Sequence, residues 1–545
     1  MSMKKKVKRY ASMAISLSLV ASTLVACSSE SSTNTTNKTN TTNTVNSNKT
    51  DGEAGSSDRI TELNKLSFWI ELFPDAAAIM KSYDEVTAWQ VIEEKTGVDI
   101  QFEHPAQGQL GEQFNLMVAA NKLPEVVVYS WNAYPGGAMK AISDKKIIPL
   151  NDYLDYAPNL KRLLDENPEW RKMASTDNGD IIGFPFIRED VAQQVFLGPA
   201  IRQDWLDKLG LSSPTTIDEW YNVLKAFKER DPNGNGEADE IPITLAAGEL
   251  AFAGAFGTPN DFYQENGTVA YGPIQPNFKQ FLAMMSQWYS EGLLDPDFAS
   301  NDSKMIDAKV TGNQLGSLIL FLNGGIGKYM DLMAGTEFKL TGTAYPTLNA
   351  GEQPVFGHID NPITGIFAAI TGSNKNVVET VKFLDYLYSD EGKLIMNFGR
   401  EGESFNFQNG EPVYTEQVLN NPDGLPISQS FRKHIMGATS GPFVQDIRHS
   451  MQYTTKPEQK AAMETWSGPT HEKRIPPISI AVEDSSQFAS IMTDVNTYKD
   501  EMILKFIMGA ESLDNFDKFV ETIKALGIEK AIEIQQAALD RYNNR

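Results

Sequence analysis

The stretch from Leu66 to Tyr129 decides the fold, because short apolar runs alternate in it with amphipathic ones. The runs are LSFWI (66–70), AWQVIEEKT (88–96), VDIQF (98–102), GEQFNLMVAA (111–120) and VVVY (126–129). The first, third and fifth runs have the length and spacing of strands, whereas the second and fourth have helical spacing. This order predicts an α/β fold in which helices cover a parallel sheet.

The ends of these strands mark where a ligand would bind. In open α/β sheets, ligands lie beyond the carboxyl ends of the strands. Residues 69–73 follow the first predicted strand, and residues 130–134 follow the third. We therefore expect these two segments to border a cleft.

A second α/β series begins near residue 180. Thr216 and Glu219 have the spacing of a capping box, which predicts a helix that runs to about Arg230. Gly210 is a suitable end for a helix at 203–209. The other predicted elements are strands at 241–245 and 316–321 and helices at 277–292, 375–389, 487–508, 513–525 and 528–541.

The composition narrows the class of protein. The chain has 545 residues, a net charge of −23 and 41% hydrophobic residues, enough for two or more folded lobes. The acidic balance argues against nucleic acid as a partner, since a nucleic-acid-binding surface needs a basic patch. The single cysteine excludes an intramolecular disulfide, a CxxC redox pair and a cysteine-rich zinc site.

The N-terminus has the composition of a secretory signal. Residues 1–9 carry five Lys or Arg and no acid, and residues 10–26 are small and apolar but short for a membrane span. The run ends in LVAC, which resembles the lipobox of bacterial lipoproteins, in which the cysteine is acylated and the chain is cut before it. We interpret residues 1–26 as the signal peptide and Cys27 as the lipidation site. An ordinary signal peptide with a chance cysteine is the alternative.

Residues 27–58 are interpreted as a tether. After Cys27 the segment is almost entirely Ser, Thr, Asn, Lys, Gly and acids, and it cannot bury enough apolar surface to order itself. As a flexible chain it would reach about 30 Å. Loss of the signal would leave 43 basic and 71 acidic residues, a net charge of −28. No later run of 18 apolar residues predicts a second membrane anchor.

Residues 231–240, DPNGNGEADE, are the most chemically specific stretch of the chain. Oxygen-bearing side chains recur at every second position, and Gly234 and Gly236 let the backbone curl around one point. Ca²⁺ takes six to eight oxygen ligands, which a loop of this kind can supply. The stretch therefore predicts a structural calcium site, with a solvated Asn/Gly/Asp turn as the alternative.

The loop matches only part of an EF-hand. Its positions 1, 3, 5 and 6 fit the pattern D-x-[DN]-x-[DN]-G, but Pro242 stands where the closing Glu belongs. Asp239 and Glu240 could close the shell instead, with the backbone carbonyl of Glu237. The loop links a helix to a strand, so it is EF-like only.

Motifs for catalysis are absent or weak. No HExxH, GxSxG, GxxxxGK[ST] or post-strand GxGxxG motif occurs, and the five histidines show no metal-ligand spacing. Asp295-Pro296-Asp297 is most simply a turn after a helix. A pair of glycosidase carboxylates is compatible with so acidic a chain, but nothing in the sequence singles one out.

Several stretches together resemble one family. They are the lipobox with its spacer, IRQDWLDKLGLSSPTTIDEW (201–220), DPNGNGEADEIP (231–242), WYSEGLLDPDF (288–298), VKFLDYLYSDEGKLIMNFGREGESF (381–405) and the tail 494–528. The chain resembles a family 1 extracellular solute-binding lipoprotein of an ABC sugar importer, of the Gram-positive type. It is similar to alginate-oligosaccharide-binding proteins, and the resemblance covers essentially the whole mature chain.

The resemblance implies a two-lobe, periplasmic-binding-protein-like α/β fold that closes on an oligosaccharide in an interlobe cleft. We expect one lobe at 59–187 and 340–398 and the other at 188–339 and 399–545. The lipid-anchored protein would sit on the extracellular face of the cell membrane, act as a monomer and deliver its ligand to the ABC permease subunits. The calcium ligands implied by the matching loop are Asp231, Asn233, Asn235, Glu237, Asp239 and Glu240.

Ligand contacts vary with the sugar in this family, so the candidates come from position and chemistry. Sugars present apolar faces and hydroxyls, and their sites combine aromatic rings with planar polar groups. Trp131 and Trp466 are the main stacking candidates, with core packing as the alternative for each. The other candidates are Trp69, Tyr134, Phe186, Arg188, Phe321, Asn323, Arg400 and Glu401. Arg400 with Glu401 could equally form an internal salt bridge, and Trp205, Trp220 and Trp288 are assigned to the core.

Two other functions remain open from the sequence. One is a secreted polysaccharide-degrading lipoprotein that uses a carboxylate pair, and the other is a surface adhesin. New reducing ends from a polysaccharide would support the former, and a deep interlobe cleft would argue against the latter.

Overall fold

The computed structural model describes residues 61–245, 251–425, 427–437 and 440–545. The predicted signal peptide, Cys27 and the tether lie outside the described residues. The strands are β1 Lys65–Trp69, β2 Asp99–Glu103, β3 Val126–Tyr129, β4 Phe184–Arg188, β5 Leu197–Arg202, β6 Phe262–Glu265, β7 Thr268–Tyr271, β8 Ser317–Phe321, β9 Leu340–Gly342, β10 Ile363–Ile370, β11 Phe405–Gln408, β12 Glu411–Tyr414 and β13 Val444–Gln445.

The α-helices cover these strands and account for most of the remaining chain. They are α1 Pro74–Ala77, α2 Thr87–Thr96, α3 Leu110–Ala119, α4 Gly137–Ser143, α5 Pro158–Glu166, α6 Pro168–Ala174, α7 Gln203–Leu209, α8 Ile217–Glu229, α9 Pro276–Ser290, α10 Ser303–Thr311, α11 Lys328–Leu332, α12 Val377–Tyr386, α13 Asp390–Phe398, α14 Glu416–Leu419, α15 Ile427–His434, α16 Ile447–Tyr453, α17 Pro457–Trp466, α18 Val482–Ile507, α19 Phe516–Ala525 and α20 Ile528–Asn543.

The first sheet has six strands in the order β13-β4-β10-β3-β1-β2. β1 pairs in parallel with β2 and β3, which confirms the parallel arrangement predicted from residues 66–129. β10 lies antiparallel between β3 and β4, so the sheet is mixed. Both sides of its centre are buried, as the unbroken apolar run of β3 indicates.

The second sheet has three strands in the order β8-β5-β9, with both neighbours antiparallel to β5. The predicted capping box forms completely: Thr216 accepts from the Glu219 backbone N–H, and the Glu219 side chain accepts from the Thr216 N–H. α7 ends at Gly210, whose φ of 66° a side chain would disfavour. The predicted strand 241–245 forms only isolated bridges.

Each sheet has its own hydrophobic core, which divides the molecule into two lobes. One core contains β1–β4, β10 and α12. The other contains β5, α8, α9 and α18–α20, with an adjoining cluster that includes β8 and Trp466. Three segments cross between the lobes, at residues 188–197, 342–363 and 445–457.

The core contacts move two predicted lobe boundaries. Residues 340–345 were expected in the first lobe, yet β9 pairs with β5 and Tyr345 lies in the second core. Residues 400–453 were expected in the second lobe, yet α15 packs on α1 and α2. The Arg432 guanidinium lies 5.1 Å from the centre of the Phe73 ring. These contacts join residues far apart in the chain, which local patterns do not reveal.

Candidate functional site

The first and second crossing segments are tied together where they leave the sheets. The Arg188 guanidinium at the end of β4 pairs with the Asp360 carboxylate. The Asp360 backbone N–H donates to the Gln194 carbonyl at 2.9 Å, and Gln194 Nε2 donates to the Arg188 carbonyl at 3.0 Å. Burial raises the pKa of Asp360, but a hydrogen bond from His358 and the charge of Arg188 outweigh it, so the pKa lies below its usual range.

Aromatic rings line this junction on the side of the second lobe. The Phe196 ring stacks on Phe321, with centres 6.3 Å apart and planes 18° apart, and meets the His358 ring edge-on at 4.4 Å. The Leu322 N–H donates to the Phe196 carbonyl, which holds the first segment beside the end of β8. Because 47% of Phe321 is exposed, its face is available to a ligand.

A groove continues from this junction along the second lobe. A cavity of about 690 Å³ is lined by Tyr345, Phe356 and His358, among others. A second cavity of about 480 Å³ is lined by Tyr263, Phe356, His471, Lys473 and Arg474, among others. Both cavities include Pro259, Asp261, Phe356 and Gly357, so they form one continuous groove. Its size suits a small-molecule ligand.

Several buried polar atoms of the groove have no partner among the described residues. They are Asn260 Oδ1, His358 Nδ1 and His471 Nε2. Burial lowers the pKa of His471 to about 4, and the charge of Arg474 acts in the same direction. His471 is therefore neutral near pH 7. Unpaired amide and imidazole atoms beside aromatic rings can bind the hydroxyls and apolar face of a sugar.

Three of the ligand residues predicted from the sequence lie at this junction. Arg188 and Phe321 form part of it, as described above. Asn323 follows β8, and its Oδ1 accepts from Gln459 Nε2 at 2.7 Å and from Thr454 Oγ1 at 3.3 Å. Asn323 therefore joins the third crossing segment to the aromatic cluster.

The structure places the other aromatic candidates in the cores, which corrects their prediction as ligand platforms. Trp131 and Phe186 are fully buried and pack edge-on against Phe114 and Phe443. The remaining two of the first lobe, Trp69 and Tyr134, are at most 7% exposed. A ring without an exposed face cannot stack on a sugar.

Trp466 is likewise a core residue. It ends α17, where the sequence indicated irregular structure, and its indole Nε1 donates to the Pro199 carbonyl of β5 at 3.0 Å. Its ring is fully buried between α17 and the second sheet. Trp205, Trp220 and Trp288 are also buried, as predicted.

Arg400 and Glu401 do not form a ligand pair. Both terminal nitrogens of Arg400 donate to the Glu94 carboxylate at 2.8 Å, so Arg400 joins α13 to α2. Glu401 is exposed on the following turn. The alternative of a structural salt bridge holds for Arg400, but its partner is Glu94 instead of Glu401.

Sequence patterns did not single out four residues of the junction and the groove, namely Phe196, Phe356, His358 and Arg474. They lie in or beside irregular crossing segments, which have no periodicity to read. Only their position in the chain could have indicated them. Each lies within about ten residues of the start or end of a strand or helix that borders a segment crossing between the lobes.

The predicted calcium loop is a compact turn at the end of α8. Asp231 has a φ of 45°, and its carboxylate accepts the N–H groups of Gly234, Asn235 and Gly236 at 2.8 to 3.1 Å. The Asp239 carboxylate accepts from the side-chain amide nitrogens of Asn233 and Asn235 at 2.9 and 3.0 Å. The loop is therefore closed by hydrogen bonds between its own residues, and it carries the oxygen-bearing side chains that Ca²⁺ prefers.

Glu240 provides the test of whether the loop fits a cation. Its Oε1 is buried without a hydrogen-bond partner, and burial, together with the negative charges of Asp231 and Asp239, raises its pKa. Asp231, Asp239 and Glu240 bring negative charge into the loop, and Lys208 Nζ beside it donates to the Pro232 carbonyl at 2.8 Å. A divalent cation would neutralise more of this negative charge. A cluster built only from three or more His, Cys, Asp or Glu side chains does not occur in the described part of the chain, and this loop depends on asparagine as well.

The carboxylates of Asp295 and Asp297 do not form an exposed catalytic pair. Lys309 Nζ lies 2.6 Å from Asp295 and 3.6 Å from Asp297. Asp295 is buried and also accepts from Thr244 and Asn301, so it is satisfied within the fold.

Among the described residues, no helix is both long enough and apolar enough to cross a bilayer.

Comparison with known proteins agrees with this architecture. A family model described as a bacterial extracellular solute-binding protein matches residues 74–394. The fructooligosaccharide ABC transporter substrate-binding protein FusA of Streptococcus pneumoniae is 26% identical over 85% of this chain and 88% of its own. Lipoprotein LipO of Bacillus subtilis is 25% identical over 82% of this chain and 87% of its own.

Solved structures show the same fold. The alginate-binding protein AlgQ2 without calcium ion superposes with a TM-score of 0.70 and 27% identity, over 89% of this chain and 99% of AlgQ2. FusA in complex with kestose gives a TM-score of 0.70 and 25% identity over 88% and 99%. These likenesses confirm the predicted two-lobe α/β fold with a cleft between the lobes.

Proposed function

The chain belongs to the bacterial extracellular solute-binding protein family, and from this premise we propose that it captures an oligosaccharide for an ABC importer. The relatives FusA and AlgQ2 are named for binding fructooligosaccharides and alginate, respectively. The observation that carries the proposal is the groove beside the lobe junction, where unpaired imidazole and amide atoms lie among aromatic rings and Phe196 links the His358 ring to the exposed Phe321. Such a site recognises rings that carry hydroxyls.

The proposed site differs in part from the sequence prediction. It retains Arg188, Phe321 and Asn323 and adds Phe196, Phe356, His358 and Arg474. The sugar would stack on Phe321 and Phe356, while the polar atoms of His358 and Asn260 bind its hydroxyls. Rotation of the lobes about the three crossing segments would then enclose it.

Binding without catalysis is part of the proposal. The carboxylate pair of Asp295 and Asp297 is tied to Lys309, and Asp295 has no exposed surface for a substrate. In the described groove, Asp261 lines both cavities and Asp500 lines the larger one, and the assay for reducing ends tests whether they act as a pair.

Isothermal titration against plant, algal and fructan oligosaccharides tests this function. We expect at least one sugar to bind with a dissociation constant at or below about the micromolar range and to reduce the radius of gyration on lobe closure. The same mixtures are assayed for reducing ends. New reducing ends would overturn binding without catalysis, and absence of binding across the panel would overturn the oligosaccharide assignment.

We propose that the mature protein is held at the extracellular face of the membrane by acylation of Cys27, with a fatty chain such as palmitate. The signal peptide of 26 residues and the tether of residues 27–58 support this location, and LipO is named a lipoprotein. The anchored protein would act as a monomer, and its lobes would deliver the ligand to the ABC permease. Metabolic labelling with a palmitate analogue, compared between wild type and Cys27→Ser, tests the anchor.

The lobe boundaries are proposed from the core contacts. The first lobe comprises residues 61–188 and 360–453, and the second comprises residues 189–359 and 454–545. Arg541 and Arg545 of the second lobe also pair with the buried Asp177 of the first.

We propose that the loop at 231–240 holds a structural Ca²⁺ ion. The ligands would be the six residues implied by the sequence: Asp231, Asn233, Asn235, Glu237, Asp239 and Glu240. The buried, unpartnered Glu240 oxygen supports the assignment. The relative AlgQ2 has a solved structure named as being without calcium ion, which links calcium to this type of protein. The ion would neutralise converging carboxylates and fix α8 relative to the second sheet.

Melting curves with EDTA and with added Ca²⁺ test the calcium site. EDTA is expected to lower the melting temperature, and Ca²⁺ in excess of the chelator is expected to restore it. Mg²⁺ serves as the control, because its stricter octahedral geometry suits this loop less well. An unchanged melting temperature in EDTA would contradict the site.

A further inference from the structure

Arg474 is a half-buried cation in the groove that lacks a counter-charge. Within the described ranges, no carboxylate lies within 4 Å of its guanidinium, and its side chain forms no hydrogen bond. Other cations near it are paired: Lys473 with Glu265 at 2.7 Å, and Arg188 with Asp360. Arg474 is held in place through its backbone N–H, which donates to the His471 carbonyl at 3.0 Å.

An unpaired cation in this position has an energetic cost. Burial lowers the pKa of Arg474, which means that the site disfavours its charge, and the more distant Asp360 offsets this only in part. A guanidinium removed from water is stabilised by a planar anion that accepts two parallel hydrogen bonds. The protein supplies no such anion at the guanidinium, so an anionic group of a bound ligand can take this position.

The neighbours of Arg474 favour a ring that bears a carboxylate. Phe356 and Tyr263 line the same cavity and provide apolar surface beside the guanidinium. The buried Nε2 of neutral His471 has no partner among the described residues and can bind a hydroxyl. Asp261, the one acid on this wall, is exposed and already accepts from the Phe262 N–H at 2.7 Å.

From these contacts, and resting on the proposed oligosaccharide-binding function, we infer that Arg474 makes the protein selective for an acidic sugar. The carboxylate of a uronic acid residue pairs with the guanidinium while its ring lies against the aromatic wall. The acidic surface of the protein opposes this only weakly, because exposed charges beyond about 8 Å are screened at physiological salt. One relative is named for fructooligosaccharides and another for alginate, so the relatives do not distinguish a neutral sugar from an acidic one. Arg474 favours the acidic sugar.

Titration with matched sugars tests the inference. The probes are trigalacturonate and trimannuronate, their fully methyl-esterified forms, which keep the rings but lose the charge, and neutral kestose. Wild type is expected to bind one of the uronate trisaccharides about tenfold to a hundredfold more tightly than its ester, the range of a charge-assisted hydrogen bond. Arg474→Gln should abolish this preference, and Arg474→Lys should retain part of it.

Two controls separate selectivity from a structural role. Arg162→Gln alters a paired arginine of α5, outside both cavities, and should change the preference by less than about threefold. Arg474→Gln should melt no lower than wild type, since it removes an uncompensated charge. Equal affinity of wild type for acid and ester, or an unchanged preference in Arg474→Gln, would overturn the inference. Binding of kestose alone would overturn it while leaving the proposed function intact, whereas binding of no sugar would overturn both.

Discussion

Truncation of Trp466 tests whether this ring stabilises the core or binds the sugar. The ring lies against Gly198 so closely that a Cβ on that glycine would be 2.4 Å from Trp466 Cδ2. It also contacts α17 and β9 near Ala462 and Gly342, and its N–H is bonded to Pro199. We therefore expect Trp466→Ala to act on stability first.

The magnitude follows from the contacts. Truncation of a buried tryptophan costs about 3–5 kcal/mol, because the apolar transfer energy and the residual cavity both count. The Pro199 carbonyl loses the indole N–H but keeps the Thr343 N–H, and the loss of this one hydrogen bond adds about 1 kcal/mol. The free energy of unfolding should fall by about 4–6 kcal/mol, a large part of the 5–15 kcal/mol typical of a folded domain.

Guanidinium-induced unfolding, followed by tryptophan fluorescence and by far-UV circular dichroism, measures the loss. Trp466→Phe keeps most of the ring and loses the hydrogen bond, so it should cost about 1–2 kcal/mol. Gly198→Ala crowds the same contact from the opposite side and should cost about 1–3 kcal/mol. If Trp466→Ala unfolds at the wild-type concentration of denaturant but loses affinity for sugar, the ring is a ligand platform and the packing argument fails.

Three other substitutions are predicted to act on the site, the metal loop and the acid stability, respectively. Phe321→Ala should weaken sugar binding by about 2 kcal/mol in calorimetry with little change in melting, whereas Phe407→Ala, equally exposed on the β11–β12 hairpin, should leave affinity unchanged. Glu240→Gln should raise the melting temperature in EDTA, by relieving repulsion from Asp231 and Asp239, yet reduce the stabilisation by Ca²⁺; a lower melting temperature in EDTA would contradict this. Burial lowers the pKa of His449 to about 3, below the value of about 6.5 in an unfolded chain. The buried neutral imidazole therefore contributes fully to the free energy of unfolding above pH 6.5, and this contribution is lost as the pH falls. Between pH 6.5 and 4.5 this amounts to about 2–3 kcal/mol of unfolding free energy, and His449→Gln should show a correspondingly smaller loss in denaturant titrations at the two pH values.

The parts of the fold predicted correctly are those encoded by neighbouring residues. The runs between residues 66 and 129 form the predicted strands and helices to within about one residue, since periodicity and end signals act over a few positions. The capping box of Thr216 and Glu219 forms for the same reason. The pattern at residues 231–240 is legible for the same reason, because its oxygen-bearing side chains alternate within ten residues, and the calcium site stays a prediction.

The candidate site could be predicted only in part. Arg188 and Phe321 end β4 and β8, and Asn323 lies just after β8, so all three lie at the lobe junction. Their role as ligand residues stays a prediction, favoured by that position in the topology. Trp131 and Trp466 were expected to stack on a sugar, and both are buried. Residue type favours a tryptophan for either role, and only its surroundings distinguish them.

The sequence by itself determined the α/β class and the family, and it predicts the secretory and lipidation signals and the calcium loop. Each depends on residue types at short spacing. The tertiary structure decided which aromatic rings remain exposed, to which lobe residues 400–453 belong and which cations are paired. Trp466 bonds to a carbonyl 267 positions away, and Arg188 pairs with an acid 172 positions away. Burial and charge pairing are set by such distant contacts, so the absence of a counter-charge at Arg474 becomes visible only when the chain is folded.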